Sequence, residues 1–130
     1  MNRYLILLFV GTVLAGCNAD TLPDPTPDYR EVFEGRYIGV RTISSWTLNG
    51  PYTSVDQDDT VHVVLSGDSA LLLNQTEIHI GTDGLFFEQG NAGASSYFSV
   101  QFSNGDSLRT DLNGGGLGGG YHNTFRGRKQ

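Results

Sequence analysis

The sequence predicts an all-β domain: a single antiparallel meander of about eight short strands, closed or nearly closed into a small barrel. A two-sheet sandwich is the alternative. Three observations carry this. From Gly35 onward apolar and polar residues alternate with a period of two, and no window of helical length carries an i, i+3, i+4 stripe. The breaks between runs hold turn chemistry, clearest at Asn104-Gly105, where both residues accept positive φ in a two-residue hairpin turn. The chain of 130 residues, 18 of them Gly, is long enough for one domain. Closing its strands into a barrel buries one face and removes exposed edges.

The elements follow in order. In Gly35–Leu48 the even positions Ile38, Val40, Trp46 and Leu48 share a face, diluted by Thr42 and Ser44, and read as the buried side. Val61, Val63 and Leu65 alternate with Thr60, His62 and Ser66, with Val64 on the second face. Leu71-Leu72-Leu73 is a buried strand or part of a hairpin. Ile78 and Ile80 alternate with Glu77 and His79, and Leu85-Phe86-Phe87 follows. Phe98, Val100 and Phe102 alternate with Tyr97, Ser99 and Gln101. Leu108, Thr110 and Leu112 alternate with Ser107, Arg109 and Asp111, and Tyr121, Asn123 and Phe125 with His122, Thr124 and Arg126. Ser66-Gly67-Asp68 and Thr82-Asp83-Gly84 are further turns. Asn49–Asp59 and Gln89–Ser95, polar and Gly-containing, read as exposed loops.

Ahead of this domain the chain has a different character. Arg3 and the free amine precede an apolar run, Tyr4 to Leu14, interrupted only by Gly11 and Thr12. A run of about 11 residues rises about 16 Å as a helix, half of a ~30 Å hydrocarbon core, which suits a secretory signal better than a membrane span. Leu14-Ala15-Gly16-Cys17 resembles the lipobox of bacterial lipoproteins. That resemblance implies a signal peptide over 1–16, cleavage between Gly16 and Cys17, and diacylglycerol on the Cys17 sulfur with acylation of the new amine. Several acyl chains on one residue hold a soluble domain at a bilayer, where one chain would not. Asn18 follows the Cys rather than the Asp linked to inner-membrane retention in some bacteria, which points to the outer membrane.

Residues 17–30 form the expected tether. Asn18–Asp28 has three Pro at alternate positions, which excludes helix and paired strand and leaves an extended spacer of roughly 30 Å. Tyr29–Phe33 is expected to dock the spacer as a short helical turn, and the domain is placed at 31–130.

The stretch Phe33-Glu34-Gly35-Arg36-Tyr37-Ile38-Gly39, the Gly-rich run 114–120 and the terminal Phe125-Arg126-Gly127-Arg128-Lys129 resemble small Bacteroidetes envelope lipoproteins with calycin-like (lipocalin-like) β domains. The resemblance implies an eight-stranded up-and-down sheet or barrel and no particular reaction.

Charge and composition narrow the function. Removing residues 1–16 takes Arg3 from the 8 basic residues, leaving 7 against 14 acidic and a formal charge of −7. Such a body lacks the basic clusters that nucleic acid needs and is not drawn to anionic headgroups. One Cys excludes a disulfide framework and Cys-based zinc sites.

Reactive motifs are absent. Gly114, Gly116 and Gly119 fit G-x-G-x-x-G without the helix a dinucleotide site requires; the run reads as strand too close to another backbone, or too sharply bent, for side chains. His62, His79 and His122 lack ligand spacing and read as solvent-facing, so no metal is expected. Asp56-Gln57-Asp58-Asp59 begins like a calcium loop, yet Val61 and Gly67 stand where Gly and Glu are required. No nucleophile motif or carboxylate pair is present.

The expectation is therefore a non-catalytic envelope lipoprotein without cofactor, binding a small apolar ligand or an envelope component. The alternatives are a side-chain-filled structural or protein-interaction module, and a small hydrolase with a triad not legible in sequence. Trp46, Tyr52, Tyr97 and Tyr121 could form a sugar- or lipid-contacting surface or pack across strands; Tyr52 and Tyr97 are the candidate ligand contacts. Asp20-Thr21-Leu22 resembles the D-[ST]-aliphatic acceptor of periplasmic O-glycosylation, with Thr21 the acceptor; weaker copies begin at Asp59, Asp68 and Asp106.

Overall fold

The computed structural model describes residues 26–90 and 95–130. Eight antiparallel strands follow in chain order: β1 (Gly35–Thr47), β2 (Thr53–Ser66), β3 (Ala70–Leu73), β4 (Thr76–Ile78), β5 (Leu85–Gln89), β6 (Tyr97–Ser103), β7 (Ser107–Gly116) and β8 (Gly119–Lys129). They make one sheet ordered β4-β3-β2-β1-β8-β7-β6-β5. Sequence neighbours pair, β1 pairs with β8, and the one seam lies between β4 and β5. The domain is a nearly closed barrel, and the sandwich alternative falls away.

One face of the strands fills the interior. Tyr37 and Phe125 are fully buried, with Val61, Val63, Leu71, Leu73, Ile78, Val100, Phe102 and Leu108 around them. The filling is uneven along the barrel. It is dense at the end where the chain enters, which Phe33 plugs with its ring centroid 4.7 Å from that of Phe102. The Tyr37 hydroxyl is shared between the carbonyls of Phe33 (2.9 Å) and Gly105 (3.2 Å). Burial first, and then the Asp106 charge, push its pKa up to about 12.

Entry is through a 3-10 turn, Tyr29–Phe33, as the local sequence predicts. Its anchor is Arg30, a residue not singled out in the sequence. Buried to 4% exposure, Arg30 pairs with Asp28 and donates to the carbonyls of Gly67 (3.2 Å) and Ala70 (2.8 Å) in the β2–β3 turn. The packed body therefore begins at Asp28, a few residues before the expected Glu31.

Four expectations are corrected. In β1 the even positions are the outer face: Ile38, Val40 and Trp46 are each about two-fifths exposed, while Tyr37 and Arg41 turn inward. The Tyr37 hydroxyl bonds fix this choice, against the larger number of hydrophobes on the other side. Leu48 lies beyond the strand end and is exposed.

Next, the expected loop 49–59 is a connection only over 49–52: it is exposed as expected, but β2 starts at Thr53, and Asp56–Asp59 lie in a strand paired with β1. Polar cross-strand partners hold this part, with Ser45–Thr53 at 2.8 Å, Ser44–Ser54 at 3.1 Å, Thr42–Asp56 at 2.6 Å and an Arg41–Asp59 ion pair. Of the second expected loop, residues 91–94 lie outside the described residues.

Third, Asn104 (φ 54°) and Gly105 (φ 71°) do turn the chain, but Ser103 pairs with Ser107, so the connection has three residues rather than two. Finally, the Gly-rich run is crowded in part only. Gly119 abuts the Trp46–Thr47 backbone and Gly115 that of Gly119–Gly120, as expected; Gly114 faces the Tyr121 ring and Gly120 the Trp46 ring, whereas Gly116 and Gly118 look into open space.

Candidate functional site

Of the recesses in the half of the barrel away from the chain entry, two gather the candidate residues. The first is interior. Because β3 and β4 are short, the first half of β2 has no partner on its outer edge, and the barrel stands open there. A cavity of about 280 Å³ results, with Val61, Leu73, Phe98 and Leu112 as apolar floor. Its rim is polar: Asn74, Gln75 and Thr76 from the β3–β4 turn, Thr110 and Asn123 from β7 and β8, and Arg41. Arg41 is neutralised by Asp59, donates to Asn123 Oδ1 at 2.8 Å, and lies 5.4 Å from the centroid of the Phe125 ring. The cavity is thus half apolar and half polar, without a free cation on Arg41 to attract an anion.

The second recess, of about 220 Å³, lies on the outer face and is lined by Ser44, Trp46, Tyr52, Tyr97, Asn113 and His122. Register explains the convergence. Tyr97 pairs with Asn113, Asn113 with His122, His122 with Ser44 and Ser44 with Ser54, so one straight row crosses five strands. Tyr52 stands just before β2, beside this row, and Trp46 stands one step further along β1. Tyr52 and Tyr97, the two candidates named from the sequence, therefore meet at one recess although 44 positions separate them.

Asp111 organises this row from the next one. It is 9% exposed although it lies on the outer face, and it accepts from His122 Nε2 (2.7 Å), the Tyr97 hydroxyl (3.1 Å) and Arg109 Nη2 (3.3 Å). Burial raises the Asp111 pKa, but donation by His122 and Tyr97 outweighs it, and the carboxyl sits below its ordinary value. As an ionised carboxylate accepts only, His122 must carry its proton on Nε2. Tyr97 is shifted upward, by burial first and then by Asp111.

The remaining candidates fall as follows. Gly16, Cys17 and Thr21 lie outside the described residues. His62 and His79 are exposed and stand apart from His122. Among the described residues no group of three or more His, Cys, Asp or Glu is placed to hold a metal, and no helix is long and apolar enough to cross a membrane. Ser44, His122 and Asp111 do approach one another, but the Ser44 hydroxyl bonds Ser54 rather than His122. The nucleophile–base contact of a serine triad is therefore not made here.

Arg41, Ser44, Asn113 and Asp111 were not legible as site residues. Register brings them together, but it was not available from the sequence. The two-residue turn expected at Asn104-Gly105 would set Tyr97 opposite Leu112, and only the three-residue connection sets it opposite Asn113, which pairs with His122. No protein-family model matches the chain, and no curated protein matches it.

Proposed function

We propose that this chain is a non-catalytic lipoprotein of the bacterial cell envelope, held at the outer membrane by acylated Cys17, whose barrel carries one small amphipathic molecule. The supporting observation is the uneven filling of the barrel: dense around Phe33, Tyr37 and Phe125, and open around Val61, Leu73, Phe98 and Leu112. A purely structural module would fill both halves. At about 280 Å³ the cavity falls just below the usual range of ligand pockets, roughly 300–1,000 Å³, and suits only a small ligand. Its apolar floor suits a short hydrocarbon or ring system, and Asn74, Gln75 and Thr76 suit hydroxyl, amide or carbonyl groups at the other end. This refines the wholly apolar ligand expected from sequence.

Native mass spectrometry of the protein purified from its own envelope tests the reading. The wild type should carry a discrete adduct of small-molecule mass. Leu112→Trp, which fills the cavity from β7, should fold and lose that adduct. A wild type that runs only as the acylated polypeptide, or an adduct that survives Leu112→Trp, would defeat the cavity assignment.

A further inference from the structure

We propose that the outer recess is a second binding site, independent of the cavity, which takes a neutral pyranose unit of a glycan stacked on Trp46. The argument starts from the glycines. Gly115 and Gly120 are cross-strand partners on the outer face of the β7–β8 hairpin, directly beside Trp46. A β-carbon at Gly120 would fall inside the space of the indole, and one at Gly115 would touch it at 3.5 Å. The Cζ2–Cη2 edge of the indole therefore packs where side chains are missing. Trp46 is still 37% exposed, so part of the ring remains accessible.

A partly exposed indole packed beside glycines and bordering a recess can serve as a stacking platform. The electron-rich ring face attracts the polarised C–H groups along one side of a pyranose. Little rotamer freedom remains to be lost on binding.

The surroundings specify the rest of the ligand. Ser44, Asn113 and His122 form a polar floor. Ser54, Ser95 and Asp111 take the Ser44 hydroxyl, the Asn113 amide nitrogen and His122 Nε2, so that Asn113 Oδ1 and His122 Nδ1 are the groups that accept from ring hydroxyls. The Asp111 network holds His122 and Tyr97 in place. Tyr52, 67% exposed, offers a second ring at the edge. No Lys or Arg lines the recess, so its lining offers no cation to pair with an anionic sugar. A purely apolar partner would strand the polar floor.

Trp46 is the only tryptophan in the chain, so its emission reports on this recess directly. The full acylated protein in detergent is titrated with gluco-, manno- and galacto-configured hexasaccharides, with fluorescence and calorimetry read together. At least one series should saturably shift the Trp46 emission and give a matching heat. Tyr52→Ala and Asn113→Ala, with unchanged melting temperatures, should each weaken binding about tenfold, the equivalent of 1.4 kcal/mol. Neither signal responding up to about 10 mM sugar, where even millimolar affinity would register, overturns the proposal. Binding that both variants leave at wild-type strength overturns it equally.

Discussion

Tyr37 shows what a single polar atom can decide. Its ring belongs to the core, but its hydroxyl would be costly to bury without an acceptor, and the carbonyls of Phe33 and Gly105 supply two. This fixes which face of β1 turns inward and locks the entry turn to the β6–β7 turn. Tyr37→Phe should cost about 1–2 kcal/mol, since it leaves two buried carbonyls without their donor. The pH dependence is more diagnostic. Because the folded state raises the Tyr37 pKa, its contribution is whole below the ordinary tyrosine value of 10 and falls as pH rises toward about 12. Over that interval the unfolded chain ionises first. Denaturant titrations should show the wild-type advantage over Tyr37→Phe constant at neutral pH and shrinking above about pH 10 by on the order of 2 kcal/mol. An advantage independent of pH across that window would contradict the assignment.

Strands with a core on one side and water on the other announced themselves. Val61–Leu65, Phe98–Phe102 and Leu108–Leu112 alternate because burial on the inner face demands it, and all three form the strands expected. The first half of β2 gave no such signal. It extends past the core and is held by hydroxyl and guanidinium partners on β1, which hydrophobic periodicity does not register. β1 misled for a related reason: its outer face carries Ile38, Val40 and Trp46 while its inner face carries Tyr37, Gly39 and Arg41. The cavity was hidden too, because it depends on how far β3 and β4 extend. The recess was legible in its rings, Tyr52 and Tyr97, but not in its floor. In the Gly-rich hairpin, crowding differs from one position to the next, so glycine content alone could not rank its positions. Gly120→Ala should destabilise by about 1–3 kcal/mol and alter the Trp46 emission, as the indole edge is pushed away. Gly118→Ala, in open space, should be neutral or slightly stabilising by restricting the unfolded chain. Equal melting temperatures and spectra for the two variants would refute this account of the hairpin.

The two ends of the barrel have different tasks. The end holding Asp28, Arg30 and Phe33 is plugged and receives the chain from the tether; the opposite end carries the cavity mouth, Trp46 and Tyr52. If the domain is anchored through Cys17 as proposed, both recesses lie at the end away from the chain entry. If the proposed processing occurs, the formal charge of −7 gives the body no attraction to anionic headgroups, and the acyl chains would have to supply the whole attachment. Two consequences separate this arrangement from peripheral adsorption. High salt should leave the wild-type protein in the membrane fraction, because there is no ion pairing to screen. Cys17→Ser should move it from the detergent phase to the aqueous phase without changing its melting temperature, since Cys17 precedes the packed body that begins at Asp28. Release of the wild type by salt, or detergent partitioning that persists in Cys17→Ser, would show that something other than lipid on that sulfur holds the barrel at the membrane.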